Sequence, residues 1–276
     1  MPRDPEHRFA RDQRDTSELV RVALTADDEQ TSWDAVMILH YRGSATELAV
    51  AQDLAKAPDP KRRELAADIL GQLGWDERTF LSESVDTLIL LLGDSTPSVA
   101  AHAATALGHR RDPRAIPHLL KQITNAAAEI RLGVVHGLSC HDDVEAVQAL
   151  MILSSDGDRD VRNWATFGLG SLTGLDTPGL RDTLIARTSD DDAEIRGEAL
   201  LGLARRHDLR ALDLLRAELQ RPFEGDWSLE AAELFAEPSL YPLLKEIWDS
   251  LEPEDRNTFR RTFDAALEAC KPKHAV

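Results

Sequence analysis

The chain has 276 residues and carries 49 acidic side chains against 32 Lys and Arg, a formal charge of -17. Its length exceeds the about 100–200 residues of a usual domain, which leaves two domains or one repeat array. An apolar fraction of 42% with aromatics at only 5% suits close-packed helices rather than sheet. The acidic balance argues against nucleic acid as a partner, and no run approaches the about 18 apolar residues of a membrane span.

A soluble, cytoplasmic protein is therefore expected, with no membrane and no nucleic acid among its partners. The two cysteines, Cys140 and Cys270, are too few for a disulfide framework. The charge is uneven. Residues 141–200 hold 13 acids against 5 arginines, and residues 221–255 hold 10 acids against 2 basic residues. That excess reads either as a solvated face or as a patch for a basic protein partner.

In chain order, residues 1–27 read as a polar tail followed by a capping helix over 16–26 (TSELVRVALTA). Residues 28–252 then repeat one pattern, with anchors at Asp34, Arg62, Val99, Ile130, Val161, Ile195 and Trp227. Four and eight residues after the anchors stand mostly Ala and Leu, as in Ala103 and Leu107 or Ala199 and Leu203. That spacing makes one helical stripe narrow enough for a neighbouring helix to approach. Nine residues on, every copy is small (Gly43, Gly71, Gly108, Ser139, Gly170, Ala204, Ala236), which predicts a helix stop.

A second helical pattern follows each stop, with Pro or Asp near its start in several copies, as in DPRAIPHLLKQI and DTPGLRDTLIA. The loops between units, such as Asp190-Asp-Asp192, place acids just before helix N-termini, where the macrodipole favours them. The expected fold is all-α, about seven helical pairs with terminal capping helices. Residues 253–276 supply the second cap, PEDRNTFRRTFDAALEA, with Phe259, Phe263 and Leu267 at intervals of four, and a frayed tail.

The residue after the anchor is Arg63, Arg131, Arg162 or Arg196 in four copies. A recurrent arginine is expected to be a structural ladder that pairs with acids of the adjacent loops. Trp164 and Phe167 lie three and six residues after Val161, off the Ala/Leu stripe, with Arg162 and Asn163 beside them. Those four residues are the candidate partner-binding patch, because aromatic side chains with Arg make interface anchors. Trp227 and Trp248 are expected in the core.

The sequence gives little support for catalysis. His102, His136, Cys140 and His141 can be nominated as metal ligands, but no recurring zinc spacing joins them, and no metal or cofactor is assigned. Gly168-Leu-Gly170 lacks a preceding strand. Asp156-Gly-Asp158-Arg-Asp160 opens like a calcium loop but has Val161 where glycine is required. There is no nucleophile elbow and no P-loop.

The segments DRDVRNWATFGLGSL, DDDAEIRGEALLGLARRHDLRALDLL and RRDPRAIPHLL resemble bacterial HEAT repeats of the bilin-lyase (PBS lyase) HEAT-like class over about residues 30–220. The resemblance implies a HEAT-like α-solenoid. For function it implies a family holding phycobiliprotein lyases, scaffolds and regulators. The di-iron deoxyhypusine hydroxylases of similar fold use His-Glu dipeptides, of which this chain has none. DNA glycosylases of similar fold need a cationic face, which the acidic second half opposes. The expectation is a non-catalytic scaffold or adaptor for a protein partner. The alternatives are a chromophore-handling lyase-like or chaperone-like protein, or an acidic binder that neutralises a basic protein.

Overall fold

The computed structural model describes residues 9, 12–221 and 226–272; most of the expected polar tail and the end of the KPKHAV segment lie outside them. Among the described residues there are helices and no strand. The chain divides into two compact units, residues 1–149 and 150–276.

In the first unit, α1 (Thr16–Thr25) precedes the pairs α2 (Glu29–Arg42) with α3 (Ala45–Leu54), α4 (Pro60–Gly71) with α5 (Leu81–Leu91), and α6 (Pro97–Arg110) with α7 (Ile116–Leu120). Helix α8 (Ala128–Leu138) follows, and its second helix α9 (Val144–Leu153) carries the unit boundary. The second unit contains α10 (Arg159–Phe167) with α11 (Pro178–Arg187), α12 (Ala193–Arg205) with α13 (Ala211–Leu219), and α14 (Trp227–Phe235) with α15 (Tyr241–Ser250), then α16 (Pro253–Ala269). In chain order these make the seven pairs that the repeat spacing predicts.

Helix starts follow from local chemistry. The carboxylates of Asp28, Asp158 and Asp192 accept backbone N–H groups of the first turns of α2, α10 and α12. Ser44 and Glu47 form a reciprocal capping box on α3. Proline occupies the first turn of α4, α6, α11 and α16, where its missing N–H would have no partner within the helix. The acids between repeats thus have a structural use, each cap contributing about 1 kcal/mol.

The stripe four residues after the anchors is buried in every copy: Ile38, Ala66, Ala103, Val134, Ala165, Ala199 and Ala231. Eight residues after them, Leu70, Leu107, Leu138, Leu169, Leu203 and Phe235 are buried as well. The helix stop that the sequence suggests at the ninth position holds in four copies, where α2, α4, α8 and α14 end at or one residue before Gly43, Gly71, Ser139 and Ala236. Only Gly43 (φ 50°) and Ala236 (φ 51°) end their helices in the left-handed region. In α6 and α12 the left-handed residue comes three positions later, at Arg111 and His207. At Gly108 and at Gly170 the small residue serves close packing between first helices. A Cβ on Gly108 would stand 2.8 Å from Gly137 Cα in the first unit, and one on Gly202 would stand 2.5 Å from Gly170 Cα in the second.

This contact gives a prediction of sign. In an open helix, Gly→Ala gains about 1 kcal/mol, but at Gly202 it drives a Cβ into backbone. Gly202→Ala is expected to lower stability by about 2 kcal/mol, as overpacking does. Gly157→Ala, where nothing lies within 4 Å, is expected to be neutral or stabilising in the same urea titration. Equal effects at the two sites would refute the close-contact account.

Candidate interaction surface

The recurrent arginines share one geometry. Nη1 of Arg63 donates to the carbonyls of Ala57 and Pro58, that of Arg131 to Asn125 and Ala126, that of Arg162 to Asp156 and Gly157, and that of Arg196 to Asp190 and Asp191. Each guanidinium thus holds the loop that enters its own repeat. Three of them also reach an acid near the end of their repeat's second helix: Asp94 at 2.7 Å from Arg63, Asp190 at 3.2 Å from Arg162, and Glu218 at 2.9 Å from Arg196. Hydrogen bonding from Arg63 holds the Asp94 carboxyl below the usual carboxylate range. The Arg196 partner is a glutamate in the last turn of α13, rather than a loop aspartate.

A second arginine pair was not visible in the repeat pattern. Arg110 and Arg206 each stand eleven residues after an anchor, at the end of α6 and α12. Arg110 donates to the carbonyls of Leu73, Arg78 and Thr79, and Arg206 to those of Leu169, Gly170, Thr173 and Leu175. Each fixes the turn inside the preceding repeat. Their hydrogen-bond partners are backbone groups, so no side-chain pattern announces them; two arginines at one repeat register are the signal that the sequence carries.

The edge of the first helices carries different chemistry from repeat to repeat, at positions three and six after the anchors. In the first unit, His102 Nδ1 donates to Asp68 at 2.7 Å, beside a groove of about 400 Å³ that Trp33, His109 and His136 also line. The hydrogen bond to Asp68 raises the pKa of His102 above its ordinary value, while burial lowers those of His109 and His136. Cys140 bonds through its thiol to the His136 carbonyl. Among the described residues, no group of three or more His, Cys, Asp or Glu side chains is placed to hold a metal ion.

In the second unit the same edge of α10 presents Trp164, 43% exposed, with Phe167 packed edge-to-face against it at 5.6 Å between centroids. The helix then passes into a π turn over Gly168–Leu172, a distortion that recurs at functional sites. The four residues proposed from sequence as one patch do not stay together. Asn163 turns into the core, 5% exposed, with no hydrogen-bond partner for Oδ1, and Arg162 is committed to Asp190 and the loop carbonyls. On α12 the corresponding Glu198 is buried, accepts hydrogen bonds from Trp227 Nε1 and Ser171 Oγ, and has its pKa raised by burial. On α14, Glu230 and Glu233 are exposed. Trp227 and Trp248 are only half-buried. Among the described residues, no helix is long and apolar enough to cross a membrane.

Comparison with known proteins adds to this geometry. A family model described as HEAT repeats matches residues 85–170 and 152–236. The chain is 28% identical to Protein YibA of Escherichia coli (strain K12) over 215 residues, 75% of this chain and 76% of that protein. It superposes on the X-ray structure of E. coli YibA with a TM-score of 0.71 at 23% identity, covering 97% of this chain and 96% of the other. Against the complex of CpcE and CpcF of phycocyanin lyase from Nostoc sp. PCC7120 the TM-score is 0.47 at 18% identity, with 94% and 96% covered.

Proposed function

Because the chain belongs to the HEAT-repeat family and has its all-α solenoid fold, we propose that it is a non-catalytic scaffold that binds a basic protein partner along the edge of its first helices in the second unit. The observation that carries this reading is the Trp164 and Phe167 pair. An indole 43% exposed on a helix otherwise buried by its repeat gives up apolar contact with the protein interior. Such a side chain is what a partner uses as an anchor, and aromatic anchors contribute disproportionately to binding. Glu230 and Glu233, exposed on the same unit, supply the charge that would favour a basic segment.

The reading is tested by placing a photo-crosslinking phenylalanine analogue at position 164, and for control at exposed Asp213 on the second helix α13, in the living host. The expected result is one dominant adduct from position 164 and none from 213. Trp164→Ala with Phe167→Ala should weaken that partner about 30-fold, the loss of about 2 kcal/mol typical of an aromatic anchor. Glu230→Lys with Glu233→Lys should weaken it further at low salt than at high salt. Equal crosslinking from both positions would discard the surface, and binding indifferent to the charge reversal would discard the basic partner.

A further inference from the structure

The arginines of this chain are mostly matched to carboxylates: Arg63, Arg159, Arg162, Arg181, Arg196 and Arg210 all lie within 4 Å of one. A cluster in the first unit is different. Arg78, Arg110 and Arg111 line one cavity of about 320 Å³, with His109, Asp76 and Cys140 on its walls, and among the described residues none of these three arginines has a carboxylate within 4 Å. Arg110 is the decisive member. Its side chain is 0% exposed, and its Nε has no hydrogen-bond partner although Nη1 and Nη2 are used.

The equivalent arginine of the second unit shows what is missing. Arg206 likewise donates to carbonyls of the preceding repeat and likewise has no hydrogen-bond partner for Nε, but Asp176 stands 3.8 Å from that Nε and supplies a compensating charge. At the Arg110 site the neighbouring side chain is another cation, Arg78. Burial, with Arg78 beside it, lowers the Arg110 pKa to about 10, so the guanidinium remains charged at neutral pH. A buried cation without a counter-charge is costly, and an isolated chain would be expected to replace it.

The wall of the cavity is also strained. Trp75, Arg78 and Arg111 all have left-handed backbones, with φ between 45° and 50°. Non-glycine residues held in that region cost about 1–3 kcal/mol each and cluster where a ligand is clamped. Arg110 itself fixes this turn through the carbonyls of Leu73, Arg78 and Thr79, so one side chain both shapes the wall and charges it.

The geometry points to a binding site for the oxyanion group of a small molecule, phosphate or carboxylate, held by Arg78 and Arg111, with the buried charge of Arg110 behind the wall adding to the attraction. The fork of a guanidinium matches either group, and the cavity has room for a small ligand around it. This site is independent of the scaffold reading, since it lies in the other unit and uses none of its residues.

The experiment is calorimetric titration of the full chain with inorganic phosphate and, separately, with succinate, at constant ionic strength and neutral pH. Saturable binding of at least one probe at millimolar concentration or below is expected. Arg111→Gln, which alters an exposed side chain outside every ion pair, should weaken it about tenfold or more, the scale of one charge-assisted hydrogen bond. Arg78→Gln should do the same. Phosphate alone binding would assign a phosphoryl ligand, and succinate alone a carboxylate; either outcome supports the site. A second readout is the alkylation rate of Cys140, which the bound anion should slow in the native chain and not in Arg111→Gln, with buried Cys270 as the internal reference. No saturable binding of either probe, or binding unchanged in both variants, would overturn the proposal.

Discussion

Arg196→Ala is expected to destabilise the second unit by about 3 kcal/mol, the low end for breaking a buried ion pair. The Arg196 side chain is 6% exposed, and its Nε lies 3.0 Å from both carboxylate oxygens of Glu218, with Nη2 at 2.9 Å from one of them. Truncation leaves that carboxylate with only Arg221, at 3.2 Å, and leaves the Asp190 and Asp191 carbonyls without their donor. The Arg221 contact is why the loss belongs at the low end of the range. For a chain of this size the melting temperature should fall by roughly 6–12 °C. Arg196→Met combined with Glu218→Leu should recover most of it, because it is the orphaned charge that costs, more than the absent pair. If the single substitution moves the transition by less than about 1 °C, or the pair is no better than the single, the arginine ladder is not a staple of the repeat.

That prediction also marks how far the sequence could be read. Periodicity of Ala and Leu located the buried stripe, since Ala66, Ala103, Ala165 and Ala199 repeat at one register and small apolar residues at a fixed helical phase have few other uses. The helix pairs followed from the stripe and from Pro and Asp at the helix starts. The ninth position is a helix stop at Gly43, Gly71, Ser139 and Ala236 but not at Gly108, Gly170 or Ala204, because a helix stop and a close helix contact both select small residues; the φ angles of Gly43 against those of Arg111 and His207 show the difference. Asn163 could not be placed, because its neighbours at the same register are as varied as Glu64, Leu132 and Gly197, and a polar residue in such a column reads as surface. Arg110 and Arg206 escaped for a different reason: a guanidinium whose hydrogen bonds go to carbonyls needs no partner residue at a fixed spacing in the sequence. The candidate surface was thus legible as an aromatic pair, Trp164 with Phe167, while the cationic cavity was legible only once Arg78, Arg110 and Arg111 could be seen together.

The second large effect concerns acid. His40 is wholly buried in α2; its Nε2 donates to the Asp68 carbonyl on α4 at 2.8 Å, and its Nδ1 has no partner. Burial pushes its pKa down to about 4, with Asp68 opposing and His109 and Arg110 adding to the shift. In the unfolded chain this imidazole titrates near its ordinary value of 6.5. Between those values the unfolded state binds one more proton than the native state, so stability rises with pH. The contribution is complete above about pH 6.5 and is lost as the pH falls towards 4, a total of about 3 kcal/mol. His102, whose pKa Asp68 raises, works in the opposite direction at higher pH, which makes the wild-type profile alone ambiguous. His40→Gln resolves it, since an amide can keep the donor to Asp68 and cannot titrate. The wild-type urea midpoint should fall relative to that of the variant by the equivalent of about 3 kcal/mol between pH 7 and pH 4, whatever their difference at neutrality. A gap that stays constant across that interval would mean the imidazole takes its proton in the folded state, and that the contact between α2 and α4 is not built on a neutral ring.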